Sequence, residues 1–192
     1  MSFRVVVVPE DPRNNGYILH PLVVRILSEC GKPNARVTVL TNPRAKGYEH
    51  AKQLLQDQVL DTYSHQDLIL FLPDADGNDR SAEFERLEAQ AREEGVTLLC
   101  CAAAQEVETW LLAGHTERLT QPWSEIRDDA SVKENVFRPF LEKYGDSKRP
   151  GGGRDLLMNQ TLSNYRGLTD RCPELRNLEN RICQLIKSLS PL

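Results

Sequence analysis

Apolar residues in this chain come either in short unbroken runs or at helical spacing. Phe3–Val8 (FRVVVV) is β-branched and bounded by Pro9, which reads as a buried strand. RVTVL at Arg36–Leu40, LILFL at Leu68–Leu72 and VTLLCC at Val96–Cys101 read the same way. The segments between them are periodic. In YILHPLVVRILSECG, Leu22, Val23, Ile26 and Leu27 share one helical face, with Pro21 near the predicted start and Gly31 past the end. GYEHAKQLLQDQVLDTY is a second helix. SAEFERLEAQAREEG is a third, with Ser81 as its cap and Gly95 at its end. EVETWLLAG opens a fourth helix that Gly114 stops.

Strand and helix therefore alternate four times, at the ~30-residue interval of a βαβ unit. Unbroken apolar strands belong to a parallel sheet covered on both faces. The predicted fold is α/β: an open, mainly parallel four-stranded sheet flanked by helices. After Gly114 no strand is predicted. ENVFRPFLEKYG and LRNLENRICQLIKSL read as helices, and the Gly-rich basic loop GDSKRPGGGRD lies between them. The division is an α/β domain over 1–120 and a helical extension over 121–192, with the loop near 150–154.

Composition narrows the class. The chain has 192 residues, 40% apolar and 27% charged, as a soluble globular protein has. No apolar run reaches the roughly 18–20 residues that cross a membrane, and the short apolar start does not suit a signal peptide. The expected location is the cytoplasm, with no membrane partner. The five cysteines are odd in number and lack a Cys-x-x-Cys pair, so buried thiols are expected. Net charge is −4. The part from Pro122 onward carries 12 Lys/Arg against 10 Asp/Glu, and the part before it 12 against 18.

Acidic residues collect where the strands end. Glu10 and Asp11 follow the first, Asp74 and Asp76 the third, Glu106 and Glu108 the fourth. Ligands of open parallel sheets sit at this edge, and clustered carboxylates are natural ligands for Mg²⁺ or Mn²⁺. The bland alternative is that Asp74 and Asp76 only shape a turn. The spacing in Asp74-x-Asp76 puts both side chains on one side of an extended backbone. On a helix Glu106 and Glu108 diverge by about 200°, which leaves one of them facing the metal. DADGNDRSAEFE echoes a calcium loop, but Asp79 occupies the obligatory Gly position and a strand precedes it. Gly151-Gly152-Gly153-Arg154 is no P-loop, since no Gly-Lys-Ser/Thr follows. Such loops are most often spacers, though Lys148, Arg149 and Arg154 are candidates for phosphate contact. The four histidines lack ligand spacing, and no nucleophile motif is present.

VVVVPED, LFLPDADG and EVETWLLAG, in this order, resemble the Toprim domain of topoisomerases, primases and the overcoming-lysogenisation-defect nucleases. More narrowly, the chain resembles small stand-alone Toprim-like proteins of bacterial defence loci, and CPELRNLENRI resembles their closing helix. The sequence departs from the pattern after the first glutamate, where Asp11-Pro12 replaces the usual Gly. The resemblance implies a metal-dependent nuclease subunit that works with an ABC-type or SMC-like ATPase on DNA or RNA, and it leaves room for a homo-oligomer. Mg²⁺ or Mn²⁺ would be held by Asp74, Asp76 and Glu106 or Glu108, the last preferred for its place beside Thr109-Trp110. Glu10 would be a ligand or general acid/base. Two rivals stand beside this reading. One is a degenerate module that binds a partner or nucleic acid without cutting; the other is a different small α/β enzyme acting on a phosphoester.

Overall fold

Four strands make one sheet. β1 (Arg4–Pro9), β2 (Arg36–Val39), β3 (Leu68–Leu72) and β4 (Leu98–Cys100) lie in the order β2-β1-β3-β4, every neighbouring pair parallel. The computed structural model describes residues 2–189. α1 (Gly16–Glu29) joins β1 to β2. α2 (Tyr48–Leu54) runs through a π-helical turn, Leu55–Val59, into α3 (Leu60–Thr62). α4 (Ser81–Glu93) joins β3 to β4, and α5 (Glu108–Leu112) follows β4. The rest is helical: α6 (Trp123–Asp128), a π-helical turn Lys133–Phe137 leading into α7 (Arg138–Tyr144), α8 (Arg154–Leu162), α9 (Tyr165–Arg171) and α10 (Pro173–Leu189). No strand follows β4 among the described residues.

Successive side chains of a strand point to opposite faces, and both faces of this sheet are covered. Val5, Val7, Leu68, Leu70 and Leu72 share a buried cluster with Leu22 of α1, Trp110 of α5 and Leu178 of α10. Val6, Val8, Ile69 and Phe71 share the other with Leu55, Leu60 and Leu87. That is why the runs of β1 and β3 are unbroken rather than alternating. α10 is amphipathic and buries Leu175, Leu178, Ile182 and Ile186 at helical spacing. Its residues belong to the same cluster as those of α1 and β1, so the C-terminal helices complete the core on that face.

β4 is an edge strand whose free backbone is occupied by side chains. Glu88 Oε1 accepts from the Cys100 N–H at 2.7 Å. Arg181 Nη1 donates to the Cys100 carbonyl at 3.2 Å and pairs with Glu88 at 2.5 Å. An ion pair stands in for the neighbouring strand and blunts the edge.

Several sequence expectations are corrected. Pro21 lies inside α1 rather than near its start; the missing N–H is tolerated because Leu22, Val23 and Ile26 hold that helix in the core. Ser81 is the first helical residue, not the cap, and its N–H donates to Asp79 Oδ1 at 2.9 Å. β4 is shorter than Val96–Cys101. Cys30 and Cys183 form a disulfide that ties the end of α1 to α10, while Cys100, Cys101 and Cys172 are buried thiols. The disulfide joins residues 153 apart, so no local spacing announces it. The Gly-rich segment is packed rather than a spacer. Gly151 has φ +69°, and a Cβ there would lie 2.4 Å from the Tyr17 ring.

Candidate functional site

The chain reverses direction of build at β1. β2 is added on one side of it, β3 and β4 on the other, so the crevice beyond the carboxyl ends of β1 and β3 is the switch point of the sheet. Open α/β sheets bind ligands there. Glu10 directly follows β1, and Asp74 follows β3 after Pro73. Asp74 keeps a single parallel bridge to Ala103. The loop behind it is laced to the segment after β4: the N–H groups of Ala75, Asp76 and Gly77 donate to the carbonyls of Ala103, Gln105 and Ala104. This lacing holds Asp76 at φ +51°, the one non-glycine residue with positive φ among those described. Asp tolerates this region better than most side chains.

Asp74 is the hinge pin of the cluster. Its Oδ1 accepts from the Val107 N–H at 2.7 Å, which docks the entry to α5. Its own N–H donates to Glu10 Oε2 at 3.3 Å. α5 is buried on every side, and Glu108 in its first turn is 0% exposed. Thr161 of α8 seals the far end. Its hydroxyl donates to the Leu111 carbonyl at 2.6 Å, and a Cβ on Gly114 would lie 2.4 Å from Thr161 Cα, so only glycine permits that approach.

Two cations reach in from the C-terminal helices. Lys133 Nζ lies 2.6 Å from Glu106 Oε2 and 3.5 Å from Glu108 Oε1. Arg154 stacks over Phe137, gives Nη1 to the Gly151 carbonyl at 2.7 Å, and has Glu108 and Asp11 as its acidic neighbours. Neither oxygen of Glu108 has a hydrogen bond.

Crowding shifts several of these groups. Burial, then Glu108 and Glu10, push the Asp74 carboxyl well above its ordinary range. Burial and the Asp76 charge raise Glu10. Burial raises Glu106 against the pull of Lys133. Burial draws Lys133 down, but Glu108, Glu106 and Asp74 outweigh it and its pKa is raised.

The predicted residues thus fall into two groups. Glu10, Asp74, Glu106 and Glu108 come together with Arg154, and Asp76 lies at the exposed rim, where its charge still acts on Glu10. The divergence predicted for Glu106 and Glu108 is corrected, because both reach the Lys133 ammonium. Glu106 precedes the first helical residue, so the helical angle between them does not apply. Asp74 and Asp76 do not share an extended backbone, because Asp76 is left-handed. Lys148 is exposed, and Arg149 pairs with Asp155 at 2.9 Å, so of the three loop cations only Arg154 is turned toward the carboxylates. Lys133 was missed altogether. In SVKENVF it looks like any lysine on a solvated helix face.

The donor set suits a hard divalent cation, since carboxylate oxygens are what Mg²⁺ and Mn²⁺ prefer. The orphan oxygens of Glu108 are unused capacity for one. Among the described residues, however, no three His, Cys, Asp or Glu side chains stand as a preformed metal cage. A groove of about 1010 Å³ runs along β4 past Gly77, Arg127 and Arg181, but none of the five carboxylates lines it. No family model, curated protein or solved structure matches the chain.

Proposed function

We propose that the chain is a divalent-cation-dependent nuclease subunit of Toprim type, cutting nucleic acid phosphodiesters at the switch-point crevice. The observation that carries this reading is the gathering of Glu10, Asp74, Glu106 and Glu108 from three strand ends, with Glu108 sealed and without a hydrogen bond. Asp74, Glu106 and Glu108 would hold Mg²⁺ or Mn²⁺, with Asp76 and Glu10 at the open side. A cation held there would supply electrostatic stabilisation of the charge that builds on a phosphoryl oxygen. Arg154 would orient a phosphate from the opposite wall. Glu10, its carboxyl raised by burial and by Asp76, would serve as the general acid/base.

The resemblance to Toprim-like defence proteins supports an ATPase partner, of ABC or SMC type, that delivers DNA or RNA. The net charge of −4 supports it too, since an acidic chain holds a polyanion poorly alone. One observation favours the non-cutting rival: Lys133 already neutralises part of the cluster.

A cleavage assay on mixed DNA and RNA, with Mg²⁺ or Mn²⁺ and with or without an ABC- or SMC-type ATPase, separates them. Nuclease action predicts cutting that Asp74→Asn abolishes while the fold is retained. Full activity in the Asp74→Ala/Asp76→Ala double variant would end the nuclease reading. Partner binding without cleavage under any condition would establish the rival.

A further inference from the structure

We propose that the Lys133 ammonium occupies the cation seat of this site, and that a divalent ion binds by displacing it. The inference rests on the reading of the carboxylate cluster as a metal site and adds how that site is kept closed.

Three observations lead to it. Glu108 is 0% exposed, neither of its oxygens is hydrogen-bonded, and the cation within ion-pair distance of it is the Lys133 ammonium at 3.5 Å. A sealed carboxylate without hydrogen bonds needs a cation close by, and at 3.5 Å that contact is looser than the 2.6 Å pair with Glu106. Second, the ammonium touches Glu106 and Glu108, and its charge also acts on Asp74 and Glu10, so one positive charge serves carboxylates from three strand ends. The same place is where a divalent ion would gain most. Third, the tether allows exit. Lys133 opens a π-helical turn, a distortion that often marks functional sites, and its side chain is 26% exposed. Its flexible stem and compact charge suit release better than a clamped guanidinium would. Arg154, by contrast, is fastened to the Gly151 carbonyl and the Phe137 ring.

A divalent ion bonded to Glu106 and Glu108 at the 2.0–2.6 Å typical of oxygen ligands would share its ligands with the ammonium at close range. Like charges this near repel strongly in a partly buried site. The two cations therefore exclude one another, and the cluster holds either the lysine or the metal. Such exchange gives a subunit that stays metal-free until ion concentration, or a partner that draws Lys133 outward, tips the balance.

The test uses the full chain and Mn²⁺ as probe. Pulse acylation with an N-hydroxysuccinimide ester, read by mass spectrometry, measures how accessible Lys133 is. Saturating Mn²⁺ should raise Lys133 labelling about fivefold or more at matched ionic strength, and Asp74→Asn should abolish the rise. Free Mn²⁺ counted by electron paramagnetic resonance should show Lys133→Met binding tighter than wild type by about tenfold. Binding of Mn²⁺ by Lys133→Met alone would keep the lysine as the occupant of the seat but overturn its displacement by the ion. Mn²⁺ binding to wild type with Lys133 labelling unchanged would overturn the inference and leave the metal site standing. No binding to either protein would overturn both. Should Lys133→Met fail to fold, the labelling of wild type decides by itself.

Discussion

Replacing Lys133 by Met removes the ammonium and keeps an unbranched apolar stem, so the fold then holds Glu106 and Glu108 without their counter-ion. At an effective dielectric of about 20, unit charges at the 2.6 Å and 3.5 Å of these contacts attract by roughly 6 and 5 kcal/mol. Desolvation of the ammonium takes back several kcal/mol, and ordering the side chain up to about 2 more. Stranding a buried partner typically destabilises by about 3–5 kcal/mol. The lower end is expected here, since Lys133 is 26% exposed and water can reach the gap. In a chain of this length that lowers Tm by roughly 6–12 °C.

The pH dependence carries the sign. The carboxyls of Asp74, Glu10 and Glu106 are raised in the folded state. Without Lys133 the last loses its main opposing charge. Stability from such groups is complete below the unfolded carboxyl range, about 4, and is lost as pH rises through the folded value. The deficit of Lys133→Met should therefore be largest at pH 8 and shrink toward pH 4. Urea unfolding followed by circular dichroism at both pH values measures it. A second substitution, Glu108→Gln, should recover a large part of the deficit if the two side chains are coupled. A deficit below about 0.5 kcal/mol at pH 8, the size of an exposed pair, would refute the reasoning. So would one that is equal at pH 4 and pH 8.

Asp74→Asn keeps an acceptor for the Val107 N–H and removes a crowded charge. It should stabilise by about 0.5–2 kcal/mol at pH 8, with the gain vanishing toward pH 4, as thermal melts across pH would show. Trp110 Nε1 donates to Glu174 Oε1 at 2.9 Å, and Glu174 is also gripped by Arg127 at 2.6 Å. Trp110→Phe should cost about 1.5–3 kcal/mol in urea unfolding, the worth of a hydrogen bond to a charged group. Gly151→Ala meets both the positive φ and the Tyr17 ring. Its loss of stability should exceed about 1 kcal/mol, and a neutral result would return the segment to the status of a spacer.

The two-sided burial of the sheet was legible in the unbroken valines of β1 and the LILFL of β3, because covering both faces leaves no polar alternation. Glu10 and Asp74 were legible for a related reason. The end of a parallel strand points to one edge, so a carboxylate just past it has one place to go. The remainder depended on contacts between distant segments. Glu108 reads as a flanking residue until α8 and the C-terminal helices close over α5. Asp76 leaves the extended line because its loop is laced to the segment after β4. Cys30 meets Cys183 because α10 packs on the face that α1 occupies. Lys133, the first residue of a π-helical turn, becomes the counter-ion of two glutamates some 25 residues earlier because that turn packs beside the entry to α5. Periodicity reports which face of an element is buried and where the element ends. It carries no record of which charge from another element will share that burial, as Lys133 does with Glu106 and Glu108.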